Sequence, residues 1–357
     1  MTTISTLGQS LDQISNIRVL QDRLNNLQRQ VTTGRKADSF SDLGSSALTT
    51  QRARSKIYSL ENYSRNIDIA DIRIELANSS MNEIVNQAKN VSEMIGGSVQ
   101  QGEVDLEAIE NLTKNAFEFI GDLLNAQDGD RYLFGGSETR TQPYNDNGNL
   151  ESYVSAQVNE WINVNIDTDE FIQQYRDEEN LPDTLVGFNA ALSSGNVNDV
   201  SVRVDNNAEL TYGVQANEDP FRDILVALKT IETMASTLDE VDLDENADPG
   251  TVTAPGLTGA EQQANFYQVL NDLTVMINDA AEGVQSRLSD VAFVQVQMKS
   301  IQEDHTRQIN IQNTLISDIE EVDLDEVAIK FNSLLSQLEA SYSVTASVRG
   351  LSLVNFL

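Results

Sequence analysis

Few side chains in this sequence could carry out catalysis or hold a metal ion. His305 is the single histidine among 357 residues, and cysteine is absent. Thiolate catalysis, sulfur-ligated metal sites and pairs of histidine ligands are therefore excluded within one chain. His305 falls on a helical apolar seam in the stretch HTRQINIQ, so we expect a partly buried structural histidine. We predict no catalytic residue, no metal site and no cofactor.

Oxygen-bearing side chains at alternate positions, Asp242, Asp244, Asn246 and Asp248, have the spacing of a calcium-binding loop. Such a loop also needs a glycine at its sixth position and a bidentate acid at its twelfth. Here those positions hold Ala247 and Thr253. We therefore interpret residues 239–258 as a solvated acidic linker.

Long amphipathic helices are the elements that would position these side chains. From Leu60 to Ile95, apolar residues alternate at spacings of three and four for five heptads, which is typical of a coiled-coil helix. We expect this helix to end at Gly96 and Gly97. A matching seam runs from Phe266 towards His305, and the two seams should bury each other in a bundle. The seam residues that we single out are Leu60, Ile67, Ile74, Met81, Ile84 and Leu273.

Each end of the sequence carries a further amphipathic helix whose apolar stripe needs a partner. Residues 1–60 hold 8 basic and 4 acidic side chains, a net charge of +4, whereas residues 317–357 hold 2 basic and 7 acidic ones, a net charge of −5. Opposite charge favours pairing of the ends, within one molecule or between neighbours. The predicted assembly interface comprises Leu7, Leu11, Ile14, Ile17, Leu20, Leu24, Leu27, Val31, Val327, Phe331, Leu334, Leu338, Tyr342, Val348, Leu351, Leu353, Phe356 and Leu357.

The middle of the sequence has a different pattern. Residues 141–259 hold 4 basic and 23 acidic side chains, a net charge of −19, which predicts an outward-facing segment that avoids nucleic acid and anionic lipid. Residues 161–166 and 200–204 alternate between apolar and polar types and are predicted as strands. A helix is expected over 219–238, with Pro220 in its first turn.

These patterns predict a mainly α fold, a long antiparallel coiled coil or helical bundle built from both chain halves, with an inserted β-rich (α+β) domain. The turn-rich residues 34–44 are expected to form a hinge between the terminal helix and the stalk. No run of eighteen apolar residues and no charged start before an apolar block occurs, so we expect neither a membrane span nor a secretory signal peptide. The predicted domains are terminal helices at 1–37 and 317–357, a helical stalk at 38–140 and 260–316, and an inserted acidic domain at 141–259.

Several stretches of the sequence resemble the bacterial flagellin family. They are QVTTGRKADSFSDLG after the first helix, RYLFGGSET followed by Pro143-Tyr144, and the ending IEEVDLDEVAIKFNSLLSQLEASYSVTASVRGLSLVNFL. The resemblance covers roughly residues 1–145 and 260–357. Within the family, YLFGGSET and SYSVTASVRGLSLVNFL are more similar to the hook-associated proteins of the hook–filament junction, whereas IEEVDLDE is similar to filament flagellins.

This resemblance implies a structural subunit of the extracellular flagellum, exported without a cleaved signal peptide through the flagellum's own type III channel. It also implies a homo-oligomer, neighbouring hook-associated proteins or flagellin as partners, and an export chaperone. Filament flagellin is the alternative within the family. A non-flagellar type III secreted coiled-coil protein is a further alternative, and so is an enzyme carried by the inserted segment, although residues 141–259 contain no His or Cys.

Overall fold

The computed structural model describes residues 6–101, 104–176 and 181–354. Helices dominate, and the only strands among the described residues form two short antiparallel hairpins. The helices are α1 (Thr6–Thr33), α2 (Ser46–Gln101), α3 (Leu106–Leu124), α4 (Asn149–Ile162), α5 (Thr168–Gln173), α6 (Asp183–Val186), α7 (Ala190–Ser193), α8 (Asp219–Thr237), α9 (Gly259–Glu320) and α10 (Leu324–Val354). The strands are β1 (Gln127–Asp128), β2 (Arg131–Tyr132), β3 (Ser201–Asp205) and β4 (Ala208–Thr211).

The chain divides into two compact units. One unit contains residues 1–62 and 303–357, and the other contains residues 63–302. The mainly α class and the bundle made from both chain halves are confirmed. The division into three domains at the boundaries predicted from the sequence stays a prediction.

Within residues 63–302, α2 and α9 run antiparallel. The Gln295 side chain donates a hydrogen bond of 2.7 Å to Asp71, and the Gln302 side chain donates one of 2.6 Å to Asp68. As residue numbers rise along α2 they fall along α9, which fixes both direction and register. The predicted seam residues are all almost fully buried: Leu60, Ile67, Ile74, Met81, Ile84 and Leu273.

Helix α8 lies at the centre of this unit and packs against α3 and α4. Its buried residues include the uninterrupted run from Ile224 to Leu228, whose side chains point to all sides of the helix. A helix that is apolar on all sides belongs in a core. The structure confirms the predicted helix here, and Pro220 stands in its first turn.

The motif Gly135-Gly136 makes a turn that only glycine fits well. Gly136 has a φ of +55°, and a Cβ atom there would lie 2.5 Å from a methyl group of Val197. Just before it, Phe134 is fully buried and contacts Phe221 edge-on at 6.0 Å. The backbone of Gly135 pairs with Gln215. The YLFGGSET stretch therefore packs the segment that follows the β1–β2 hairpin against the segment that leads into α8.

Two local predictions are wrong. The strand assigned to residues 161–166 is the end of α4 followed by a turn, because Leu150, Val154, Val158 and Trp161 recur at helical spacing and are all buried. The helix stop at Gly96 and Gly97 is also wrong, since α2 continues to Gln101. Two glycines cost about 2 kcal/mol relative to alanine, and apolar packing around the fully buried Ile95 outweighs that cost. The strand predicted at 200–204 is confirmed as β3, with Val202 and Val204 buried.

The loop at residues 239–258 is more ordered than a solvated linker. Asp242 is only 1% exposed. Its carboxylate accepts hydrogen bonds from the amide of Asp239 and from the amide and hydroxyl of Thr253. The acidic side chain that seemed to be a possible calcium ligand is therefore used to close the loop on itself.

Lys229 lies in the apolar interior between α8 and α3. It is 4% exposed, its ammonium group pairs with Glu232 at 2.7 Å, and it lies 4.1 Å from the centre of the Phe117 ring. Removing one partner of a buried ion pair leaves the other charge without compensation.

We expect Lys229→Met to lower the free energy of unfolding by about 3–5 kcal/mol, because Glu232 would remain charged in the core. Lys229→Met combined with Glu232→Leu should recover most of that loss. Urea unfolding followed by circular dichroism would measure both variants. A double variant as unstable as the single one would show that packing, and not the ion pair, sets the cost.

Burial also raises the pKa of Tyr144 and Tyr175 well above the ordinary value of 10.0. The folded protein keeps both phenols protonated, whereas the unfolded chain releases these protons above that value. The stability that they contribute is therefore fully present below pH 10 and is lost as the pH rises further. Tyr175→Phe should reduce the fall in the free energy of unfolding between pH 8 and pH 11 by about 1.4 kcal/mol.

Candidate assembly interface

The terminal helices α1 and α10 pack against each other as an antiparallel pair. The Gln21 side chain donates a hydrogen bond of 2.7 Å to the Tyr342 hydroxyl, and the amide of Val322 donates one of 3.0 Å to the carbonyl of Gly34. The facing stripes only partly cover each other. Val327 and Leu338 are buried, while the half-buried members of the predicted interface are Ile14, Ile17, Leu20, Leu24, Leu27, Phe331 and Leu334.

Other apolar residues of the two helices remain in contact with solvent. Leu11, Val31 and Tyr342 of the predicted interface are 58%, 43% and 45% exposed. The side chains of Leu7, Val348, Leu351 and Leu353, and all of Phe356 and Leu357, lie outside the described residues. Five further exposed apolar residues of these helices fall off the three-four stripe and lie outside the predicted interface: Val19, Leu324, Ile329, Leu335 and Val344.

Helix α10 is apolar on more sides than one partner can cover. Ile329 is 71% exposed and Val344 is 55% exposed, although Val327 and Leu338 on the same helix are buried against α1. From residue 331 to residue 354 the only charged side chains are Glu339 and Arg349. Such a helix is normally buried on all sides. The pairing with α1 therefore leaves α10 with apolar surface for additional neighbours.

In the unit formed by residues 1–62 and 303–357, both chain segments leave the helical conformation at the same level. Residues 34–45 connect α1 to α2, and residues 321–323 connect α9 to α10. The amide of Lys36 donates a hydrogen bond of 2.7 Å to the Glu320 carbonyl, and Arg35 and Glu321 form an isolated antiparallel β-bridge. The predicted hinge region is thus joined to the opposite connection by backbone hydrogen bonds.

An ion pair between Arg54 and Glu320 also connects the two segments. One guanidinium nitrogen of Arg54 lies 2.9 Å and 2.7 Å from the two carboxylate oxygens of Glu320. The same guanidinium group stands 5.9 Å from the centre of the Phe40 ring. The side chains of Arg54 and Glu320 are 50% and 13% exposed. In the sequence Arg54 stands between two other basic residues, Arg52 and Lys56, but only the structure reveals its acidic partner, 266 residues away.

The described part of the chain gives no support for a metal site or for a membrane span. No group of three or more His, Asp or Glu side chains within residues 6–101, 104–176 and 181–354 is arranged to hold a metal ion. His305 is 2% exposed. Among the helices described, none has a stretch both long and apolar enough to cross a membrane.

Comparison with known families identifies the two chain halves. The sequence profile of the bacterial flagellin N-terminal helical region matches residues 4–139, and that of the bacterial flagellin C-terminal helical region matches residues 274–357. Together these regions span well over half of the chain. The chain belongs to the bacterial flagellin family. It is therefore a structural flagellar protein, and the matched regions contain α1, α2 and α3 in one half and α10 in the other.

Two solved structures are similar to this flagellin-family chain. FlgL from Bacillus cereus is 12% identical, with a TM-score of 0.47 over 75% of this chain and 98% of its own. A protein of Vibrio parahaemolyticus described as a flagellar hook-associated protein is 11% identical, with a TM-score of 0.46 over 78% of this chain and 100% of its own. A comparison with curated proteins finds no match.

The ion pair between Arg54 and Glu320 can be tested by substitution. Glu320→Gln keeps the size of the side chain and removes its charge, so the ion pair with Arg54 is lost. Because Arg54 is half-exposed, we expect a loss of only about 0.5–1 kcal/mol. Hydrogen exchange at the amides of Lys36 and Val322 should accelerate about two- to fivefold. The matched control is Glu326→Gln, which removes a solvent-exposed pair with Lys330 and should leave both amides unchanged.

Proposed function

We propose that this flagellin-family chain is a structural subunit that polymerises through α1 and α10 at the hook–filament junction. The observation that supports polymerisation most directly is the exposed apolar surface of α10. In one chain, Ile329 and Val344 stand in water on a helix whose charged residues are sparse. Neighbouring subunits would cover these residues and gain roughly 25 cal/mol for each Å² of apolar surface removed from water.

Assignment to the junction, rather than to the filament, rests on the sequence. YLFGGSET and the ending SYSVTASVRGLSLVNFL are more similar to the junction proteins, and IEEVDLDE supports filament flagellin as the second candidate. The structure accounts for YLFGGSET as a stretch that packs inside residues 63–302, with Phe134 buried and Gly136 close to Val197. That packing is compatible with either candidate.

The proposal also covers the partners of this chain and its route of export. Neighbouring copies and other flagellar proteins would cover the interface that runs from Leu11 to Val31 and from Val327 to Tyr342. A chaperone would shield these stripes before assembly, and export would proceed without a cleaved signal peptide. We assign no enzymatic activity, because the family is structural and the feature that α1 and α10 share is exposed apolar surface.

Substitution of one exposed valine tests the interface. Val344→Asp should abolish incorporation into flagella, because a carboxylate buried against a neighbouring subunit has no partner. Thermal unfolding of the free protein should not change, since the side chain is already 55% exposed. Val241→Asp is the matched control, because Val241 is 43% exposed in the loop between α8 and α9. Normal incorporation of the Val344→Asp protein would contradict the proposal.

Location separates the two candidates. Immunogold labelling of intact flagella should place this chain in a short zone between hook and filament. Label along the whole filament would instead assign it to the filament. Removal of residues 1–30 or 330–357 should leave a soluble, folded remainder that no longer incorporates in either case.

A further inference from the structure

The loop that leads into α4 contains the one Asn-Gly pair of the sequence, Asn147-Gly148. The side chain of Asn147 is exposed. Gly148 has a φ of +74°, in the left-handed region that suits glycine. A Cβ atom at this position would meet no other atom within 4 Å. The space around the peptide bond between the two residues is therefore open to water.

An asparagine side chain can react with the backbone amide of the residue that follows it. The amide nitrogen attacks the side-chain carbonyl carbon, and a five-membered ring closes. The reaction is intramolecular, and a following glycine has no side chain to obstruct the approach. Two groups would accelerate it further. One is a base that takes the amide proton, and the other is a donor to the oxygen on which negative charge develops.

Asp146 is placed to act as the base. The amide of Gly148 donates a hydrogen bond of 3.0 Å to a carboxylate oxygen of Asp146. A general base must lie within about 2.6–3.2 Å of the atom whose proton it removes. The carboxylate therefore already contacts the nitrogen that would attack.

The backbone of Asn149 is placed to act as the donor. Its amide donates a hydrogen bond of 3.0 Å to the side-chain oxygen of Asn147. Donors at about 2.7–3.1 Å stabilise an oxyanion that forms at such an oxygen. The same contact polarises the carbonyl group under attack, so the two helpers act on the two ends of the bond that forms.

The loop is anchored on both sides. Before it, the amide of Asn145 donates a hydrogen bond of 2.9 Å to the carbonyl of Gly187. After it, Leu150 is 1% exposed, and the amide of Ser152 donates a hydrogen bond of 3.1 Å to the carbonyl of Gly148. These contacts hold the reacting groups in one arrangement, which is the condition under which an intramolecular reaction gains most.

We propose that Asn147 undergoes self-catalysed deamidation in the folded protein, with Asp146 as the general base. The nitrogen of Gly148 forms a bond to the side-chain carbonyl carbon of Asn147, and its proton passes to Asp146. Asp146 returns the proton to the side-chain nitrogen, the bond from carbon to this nitrogen breaks, and ammonia leaves. Water then adds to either carbonyl of the cyclic imide and opens the ring to aspartate or isoaspartate. One water is consumed, one ammonia is released, and no atom changes its oxidation state.

The product carries one additional negative charge beside the first turn of α4. A carboxylate is favourable there, because it faces the positive end of the helix dipole. Asn147 is exposed, so the modified chain should stay folded. Asn147→Asp, which mimics one product, should therefore leave the melting temperature unchanged.

Mass spectrometry of the purified full-length protein tests the proposal. The protein is incubated at neutral pH, and the peptide containing residue 147 is followed for replacement of the side-chain amide by a carboxyl group. Fragmentation assigns the site. Asp146→Asn preserves the size of the side chain and an oxygen that can accept the hydrogen bond, but it removes the base. We expect this variant to deamidate about tenfold more slowly at Asn147. In urea the two proteins should react at equal rates, because the loop geometry is lost.

The turn between β3 and β4 offers a matched control. Asn207→Gly gives residues 205–207 the same Asp-Asn-Gly sequence, and the side-chain oxygen of Asn206 also accepts a hydrogen bond, from Tyr63 at 3.1 Å. The carboxylate of Asp205, however, accepts its hydrogen bond of 2.7 Å from the amide of Asn206 itself. It thus contacts the amide that precedes the attacking one. We expect Asn206 in this variant to deamidate about tenfold more slowly than Asn147.

Four results would overturn the inference. They are an unmodified Asn147 in the folded protein, equal rates for the native and Asp146→Asn proteins, the same tenfold difference between them in urea, and equal rates at Asn147 and at Asn206 of the Asn207→Gly protein. None of these measurements involves α1, α10 or incorporation into flagella. Failure here therefore leaves the proposed function untouched.

Discussion

The antiparallel pairing of α2 with α9 is the constraint on which the rest of residues 63–302 depends. Asp71 and Gln295 are 224 residues apart in the sequence, and Asp68 and Gln302 are 234 apart. Their hydrogen bonds set the register, and apolar residues such as Ile74 on α2 and Met298 on α9 are buried. Once α2 and α9 have paired, α8 can pack into the core of this unit, and α3 and α4 can pack against α8. Helix α8, apolar on all sides, could not remain in water alone.

Polar groups inside this core determine how precisely the elements fit. Lys229 forms an ion pair with Glu232 and lies beside the Phe117 ring of α3. These contacts fix the position of α8 against α3. Asp242 closes the loop before α9 by accepting hydrogen bonds from Thr253. Such groups contribute little net stability when they are satisfied, and their loss is costly because the remaining partner stays buried.

The sequence predicts the long helices well because their information is local and repeated. Five heptads of alternating spacing leave little room for another interpretation of α2. Short elements carry fewer repeats, which explains the failure at residues 161–166, where a few alternating residues follow a helix. The continuation of α2 past Gly96 and Gly97 depends on tertiary packing that no local signal contains. For the interface, the apolar stripes of α1 and α10 could be predicted, whereas the ion pair of Arg54 with Glu320 and the exposure of Ile329 could not.

The separation in sequence between α2 and α9 also has a consequence for the order of folding. Contacts between distant residues form slowly, because a long loop must close before any contact rewards the loss of entropy. The N-terminal half alone has a 56-residue helix with an apolar seam and no α9 to cover it. The N-terminal half should therefore remain without its native packing until α9 is available to pair with α2. The topology itself delays folding of residues 63–302 until the last third of the chain is present.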